Sequence, residues 1–351
     1  MTLKNRIFLD ALKRENNQEY VPVWLLRQAG RYLPEYMKIR SQYSDFFQMI
    51  KKPEVCKELT LQPLQRYPLD AAITFTDILT IPDAMGVPVE FISGKGPVFG
   101  NSIRNDNALK LNPHGALKKL DYVFEATSLI KANISVPLIG FTGSPWTLFV
   151  YLFYGESPKN HNELNNYLEN NLPIAHSYLE QLTEIIKDYI SAQIEAGADC
   201  IQIFDSWGGL LDEKYEELSL NYINQIASSI ETNIPVILYT RDKLIDDIVN
   251  LTSIKCFNLD TSDSIDNHID KDITIQGNFD PKNFHADNEV LKEMAQTVWT
   301  KYKDKQNYIF NLGSGLTPDV NPEKVEYFLN QLSSFRCLLY TSPSPRDRLK
   351  S

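Results

Sequence analysis

Short apolar or β-branched runs recur along the chain, at 21–26 (VPVWLL), 71–75 (AAITF), 136–141 (VPLIGF), 199–204 (DCIQIF), 234–239 (IPVILY), 255–259 (KCFNL), 272–276 (DITIQ) and 307–312 (NYIFNL). Between them, apolar residues return every three to four positions, as on one face of a helix, over roughly 53–66, 117–132, 162–196, 213–231, 288–302 and 322–332. The eight runs predict strands, each apolar enough to be buried on both faces. Strands alternating with helices in this way predict an α/β protein built as a single (β/α)8 TIM barrel, with a doubly wound sheet as the alternative. The turn after the first run reads RQAGR and lacks GxGxxG, which weighs against the alternative. The polar, glycine-containing segment 89–111 predicts a long loop or hairpin over one end of the barrel.

A chain of 351 residues with 43% hydrophobic content can bury one large core, so composition agrees with a single barrel domain over 1–336. The last residues, 337–351 (CLLYTSPSPRDRLKS), are rich in Ser, Pro and Arg and break the helical pattern; they are expected to be a non-native or disordered tail. No run approaches the ~20 apolar residues of a membrane span. The N-terminal stretch also lacks the apolar centre of a signal peptide, so a cytoplasmic protein without a membrane partner is expected. The four cysteines and five histidines are scattered, with no CxxC and no ligand spacing, so no metal is expected. Cys200 and Cys256 fall in strand-like runs and read as small buried hydrophobes. Forty-five acidic against 35 basic residues, a formal charge of −10, argues against a nucleic-acid partner.

In such a barrel the chemistry sits on the loops that follow the strands. Those positions are Arg27 and Arg31; Thr76 and Asp77; Thr142 to Ser144, with Tyr151 beyond; Asp205, Ser206 and Trp207; Arg241 and Asp242; Asp260; Gly277 to Asp280; and Gly313 to Gly315. Arg27 and Arg31 would repel each other on a helix face. Their neighbours are apolar and Gly30 weakens helix propensity, so the pair fits an anion site with planar, bidentate forks for carboxylates. Asp77, in FTDIL, either caps the next helix or takes part in catalysis. Ser206, in FDSWGG, has no GxSxG elbow and no suitably placed histidine, and fits a hydrogen-bonding or capping serine. GNFDP and NLGSGLTP together suggest the phosphate site that barrels often carry after their last two strands.

PVWLLRQAGRYLPEY (22–36) and GFTGSPWTLFVYLFYG (140–155) resemble the two signatures of the uroporphyrinogen decarboxylase family. FTDIL, FDSWGG, IQGNFDP and NLGxG follow family blocks in the same order, so the resemblance runs from about Asn5 to Leu332. It implies a (β/α)8 barrel, a homodimer, and a cofactor-free enzyme that removes the acetate carboxylates of uroporphyrinogen as CO2 to give coproporphyrinogen. It further implies that Arg27 and Arg31 bind substrate carboxylates, with Gln28, Ala29 and Gly30 lining the site. By the same resemblance Asp77 hydrogen-bonds the central pyrrole NH groups, and Tyr151 and Ser206 contact substrate. The final loop departs from the family: Ser314 stands where NLGHG has a histidine, which implies retained but weakened binding. The loop after the fifth run, LYTRD, departs too, because a Lys-Gly pair is commoner there.

Three other functions compete. A cobalamin-dependent methyltransferase relative would need His and Cys zinc ligands at strand ends. A non-catalytic tetrapyrrole-binding protein would bind without releasing CO2. A phosphosugar barrel enzyme would rest on Lys255 alone as a Schiff-base former.

Overall fold

The computed structural model describes residues 5–92, 94–106, 108–158 and 162–341, without the side chains of 336–341. Nine strands form: β1 (Ala72–Ile73), β2 (Val89–Ile92), β3 (Gly96–Phe99), β4 (Leu138–Gly143), β5 (Cys200–Asp205), β6 (Val236–Thr240), β7 (Cys256–Asn258), β8 (Thr274–Phe279) and β9 (Tyr308–Leu312). Seven make one parallel sheet in the order β1-β4-β5-β6-β7-β8-β9. The order never reverses, as a doubly wound sheet requires. β2 and β3 form an antiparallel hairpin within the segment expected to be a loop or hairpin. Every residue of β4, β7 and β9 is buried, which is why these strands read as unbroken apolar runs instead of alternating ones.

The run 21–26 is not a full strand. Val23 makes one parallel bridge to Phe310 of β9, supported by Trp24 N to Phe310 O (3.2 Å) and Phe310 N to Pro22 O (2.8 Å). Most of its amides are otherwise committed. Pro22 has no N–H, Val23 N donates to Asp70 Oδ2 (2.9 Å), Leu25 N to Gln28 Oε1 (3.2 Å) and Leu26 N to Asn311 Oδ1 (2.8 Å). Side-chain acceptors thus stand where a ladder of carbonyls was expected. On its other side Val23 O accepts from Asp70 N (2.7 Å), two residues before β1, so the sheet curls until its first and last strands share this segment.

The helices 53–66 and 288–302 have the expected bounds. The helix Asn162–Glu195 kinks at Asn171, just before Pro173. The last helix, Pro322–Thr341, runs beyond the expected end near 332, and the rest of the expected tail, 342–351, lies outside the described residues. Inside the curl, polar side chains hydrogen-bond one another: Trp24 Nε1 donates to Gln276 Oε1 (2.6 Å), Gln276 Nε2 to Gln202 Oε1 (3.0 Å), and Asn311 Nδ2 to Asn258 Oδ1 (2.8 Å). All five are fully buried, so the interior below the strand ends is a packed floor and not a pore.

Cys56, Cys200 and Cys256 are free, buried thiols, and burial raises all three, Cys56 and Cys256 to about 12. Both cysteines expected to be structural therefore sit as apolar filler. Among the described residues no helix is long and apolar enough to cross a membrane, and no cluster of His, Cys, Asp or Glu has the makings of a metal site.

Candidate active site

The loop after Leu26 begins with Arg27 in the left-handed backbone region (φ +59). Gln28 is buried; its amide oxygen accepts from Leu25 N, and its Nε2 donates to Ala71 O (3.3 Å), one residue before β1. The Gln28 side chain therefore fastens the loop to the sheet, while the exposed guanidinium groups of Arg27 and Arg31 stay outside it. Gly30 is constrained by a near approach, since a Cβ there would lie 3.2 Å from the carbonyl of Arg27. Among the described residues, Arg27, Arg31 and Arg241 have no acidic partner within 4 Å.

Asp77 follows β1 by four residues. Its Oδ1 accepts from Leu79 N (2.8 Å), and Thr80 Oγ1 donates to the Asp77 carbonyl (2.8 Å), so Asp77 shapes the turn before the helix Thr80–Ala84 and does not cap that helix, which has no side-chain cap. Oδ2 receives no hydrogen bond from a described residue. Burial raises the carboxyl to about 6, against the lowering effects of the Leu79 amide and the Arg27 charge. Although by accessible surface Asp77 is only partly covered, the desolvating protein around it dominates its acidity. Asp77 and Arg31 also meet electrically at Tyr36, whose phenol burial raises, with Arg40 and Arg31 opposing and Asp77 adding.

Tyr151 projects from the helix Pro145–Tyr154, in which the other nine residues are buried. Ser144 caps this helix by accepting from Thr147 N (2.9 Å), Pro145 occupies its first turn, and Gly155 ends it with φ +69. The Tyr151 ring lies between Phe99 of the hairpin (centroids 6.5 Å apart) and Trp207 (6.0 Å, nearly edge-on). The Arg241 guanidinium sits 5.2 Å from the centroid of Trp207 and completes the row. Burial raises the Tyr151 phenol; Asp77 adds to the rise, and Arg241 and Arg27 counter it. Tyr239 of β6 is similarly raised by burial and sensed by Arg241 and Arg27, and its hydroxyl donates to Gly313 O (3.3 Å).

The partly exposed Ser206 and the exposed Ser314 follow β5 and β9. Beside Ser206, Asp205 is fully buried and accepts from Ser144 Oγ (2.6 Å), Ser219 Oγ (3.0 Å) and, weakly, Thr147 Oγ1 (3.5 Å). Burial raises its carboxyl despite these donors. This aspartate ties the Tyr151 helix to the Ser206 loop, a role that its place in FDSWGG did not announce. Where a phosphate site was expected, the Asp280 carboxylate caps the turn after β8 by accepting from Lys282 N (2.9 Å), and a Cβ on Gly313 would lie 2.6 Å from Thr261 N. Phe99 and Tyr239 escaped the sequence reading because one sits on a hairpin of unassigned register and the other within a strand, before the loop positions.

The loops thus gather Arg27, Arg31 and Arg241, without acidic partners among the described residues, the Asp77 carboxyl with its raised pKa, and a row of aromatic rings at the ends of the strands. That arrangement suits a molecule with apolar rings that bears several carboxylates. The uroporphyrinogen decarboxylase family model matches residues 3–335. The chain is 40% identical over 344 residues to the uroporphyrinogen decarboxylase of Francisella philomiragia, covering 94% of this chain and 99% of that protein. It is 39% identical over 345 residues to that of Hydrogenovibrio crunogenus, covering 94% and 97%. Among solved structures, a methyltransferase from Methanosarcina mazei superposes with a TM-score of 0.77 at 19% identity, covering 96% of this chain and 100% of that one, a likeness of fold alone.

Proposed function

This chain belongs to the uroporphyrinogen decarboxylase family, and from that premise we propose that it removes the four acetate carboxylates of uroporphyrinogen III as CO2, giving coproporphyrinogen III for heme synthesis. Its activity is that of a carboxy-lyase. The observation that carries the assignment of roles is Asp77: a carboxylate with one oxygen free of hydrogen bonds from described residues, four residues after β1, within the electrical reach of Arg27, which has no acidic partner among the described residues.

Each decarboxylation replaces a carboxylate by a proton. Protonation of the pyrrole carbon next to the one that carries the acetate leaves positive charge on the ring, shared by the acetate-bearing carbon. The C–C bond then breaks, its electron pair neutralises that charge, and CO2 departs. The exocyclic methylene left behind takes up a proton to become methyl as the ring carbon loses one. Asp77 accepts hydrogen bonds from the pyrrole NH groups and stabilises the transient cation, a preorganised charge worth several kcal/mol where water is excluded. Arg27 and Arg31 hold peripheral carboxylates, aided by the backbone of Gln28, Ala29 and Gly30, and so fix which acetate meets Asp77. Tyr151, Ser206 and Ser314 contact the rim of the macrocycle. No step needs a cofactor. The curled sheet, with Val23 bridging its two ends, supports a (β/α)8 barrel over 1–336 as the full architecture. The proposal extends to a cytoplasmic homodimer with no nucleic-acid or membrane partner, in keeping with the formal charge of −10.

Anaerobic incubation of the purified protein with uroporphyrinogen, with products separated by carboxylate number, tests the activity. Progressive appearance of products with fewer carboxylates is expected; recovery of the substrate alone overturns it.

A further inference from the structure

We propose that Arg241 is a further specificity-determining residue, anchoring a substrate carboxylate on the side of the macrocycle opposite Arg27 and Arg31. This rests on the decarboxylase activity proposed above.

The loop that carries Arg241 is held from two directions. Gly209, in the loop after β5, has no room for a side chain: a Cβ there would lie 2.6 Å from Asp242 Cβ and 2.8 Å from the Arg241 carbonyl. From the other side Asp242 N donates to Asp260 Oδ2 (2.6 Å), and Asp260 is itself fixed by the amide of Ser262 (2.7 Å) and its hydroxyl. Asp242 adopts a left-handed backbone (φ +56) between these ties. The result sets the Arg241 guanidinium over the Trp207 ring.

The charge is otherwise unanswered. Lys243, two residues on, has Asp247 as its ion-pair partner (3.6 Å), whereas Arg241 has none among the described residues. The nearby Asp260 carboxylate is already engaged by three donors. Tyr239 lies within the electrical reach of both Arg241 and Arg27, and Tyr151 within that of Arg241, Arg27 and Asp77, so all belong to one mouth. The row Phe99–Tyr151–Trp207 offers an aromatic surface to a pyrrole ring of the macrocycle, with Arg241 at one end of it. A ligand with carboxylates radiating in several directions satisfies both groups of arginines at once. One with carboxylates on a single edge does not.

Steady-state kinetics of R241Q and R241K with uroporphyrinogen test the proposal, each variant first checked for a wild-type melting profile. R241Q is expected to raise KM about tenfold or more with kcat within about threefold, the loss of a charge-assisted contact made in ground and transition states alike. R241K, which keeps the charge but not the fork, is expected to raise KM by about threefold. A KM within about twofold of wild type in whichever variants fold overturns the role of Arg241. Should the wild-type chain itself release no CO2, the decarboxylase reading fails instead, and the two failures are separable.

Discussion

Gly315 and Arg27 share one space: a Cβ on Gly315 would lie 2.4 Å from Cδ of Arg27 and 2.8 Å from its Nε. The glycine of the last loop therefore forms the bed on which the first loop's guanidinium lies. Gly315 is outside the left-handed region, so alanine fits its backbone and acts only by displacing Arg27. Gly315→Ala is expected to raise KM for uroporphyrinogen by about tenfold while shifting Tm by no more than ~2 °C. Kinetics identical to wild type would contradict the placement of Arg27 in carboxylate binding.

Asp77 sets a pH dependence in two senses. Its carboxyl titrates at about 6, and the proposed role needs the ionised form, so kcat/KM is expected to fall as pH drops through that value. Arg27 is among the groups that lower the value, so R27Q should move this acid limb to higher pH. An unmoved limb would separate the two residues.

The same shift bears on stability. The folded value lies above the unfolded 3.8, so the charged carboxylate costs stability at neutral pH, and that cost is relieved as pH falls from about 6 toward 3.8. Asp77→Asn keeps the acceptor for Leu79 N and removes the charge. It is expected to melt higher than wild type at pH 7.5, by a margin that shrinks on acidification, while losing at least ~100-fold in kcat. A variant that melts lower at pH 7.5 with normal turnover would refute both halves.

Asp205 is a buried carboxylate whose partners are hydroxyls instead of cations. Removing it in Asp205→Ala strands Ser144 and Ser219 and loosens the Tyr151 helix, an expected loss of ~3 kcal/mol that differential scanning calorimetry reads as a Tm lower by ~5 °C or more. Asp205→Asn keeps one acceptor oxygen and should lose less. Equal melting of all three proteins would remove Asp205 from this role.

Ser314 is exposed, so it is expected to assist binding without being required. Ser314→Ala should change KM by no more than about threefold, and Ser314→His should lower it. Undetectable activity in the native chain that appears in Ser314→His would show that the serine has cost the function.

The sheet was largely legible because its strands are buried along most of their length, β4, β7 and β9 on both faces throughout, and buried strands read as apolar runs. The first run was misjudged as a full strand because Asp70, Gln28 and Asn311, remote or apparently loop-bound in sequence, take amides that a ladder would use. The arginine pair and Asp77 stood out through charge in an apolar context. Asp205, Phe99 and Tyr239 did not, since a buried acid satisfied by hydroxyls and rings brought together by a hairpin leave no local pattern. Gln28 was expected to line the site, yet its side chain serves as the loop's fastening, a distinction that rests on contacts 43 residues apart.

Arg27 holds a backbone conformation that favours glycine. Local preference and function therefore pull in opposite directions at this position. Repeated selection of this chain for heat resistance alone should drift toward glycine at 27, whereas selection for growth that depends on the product should restore arginine.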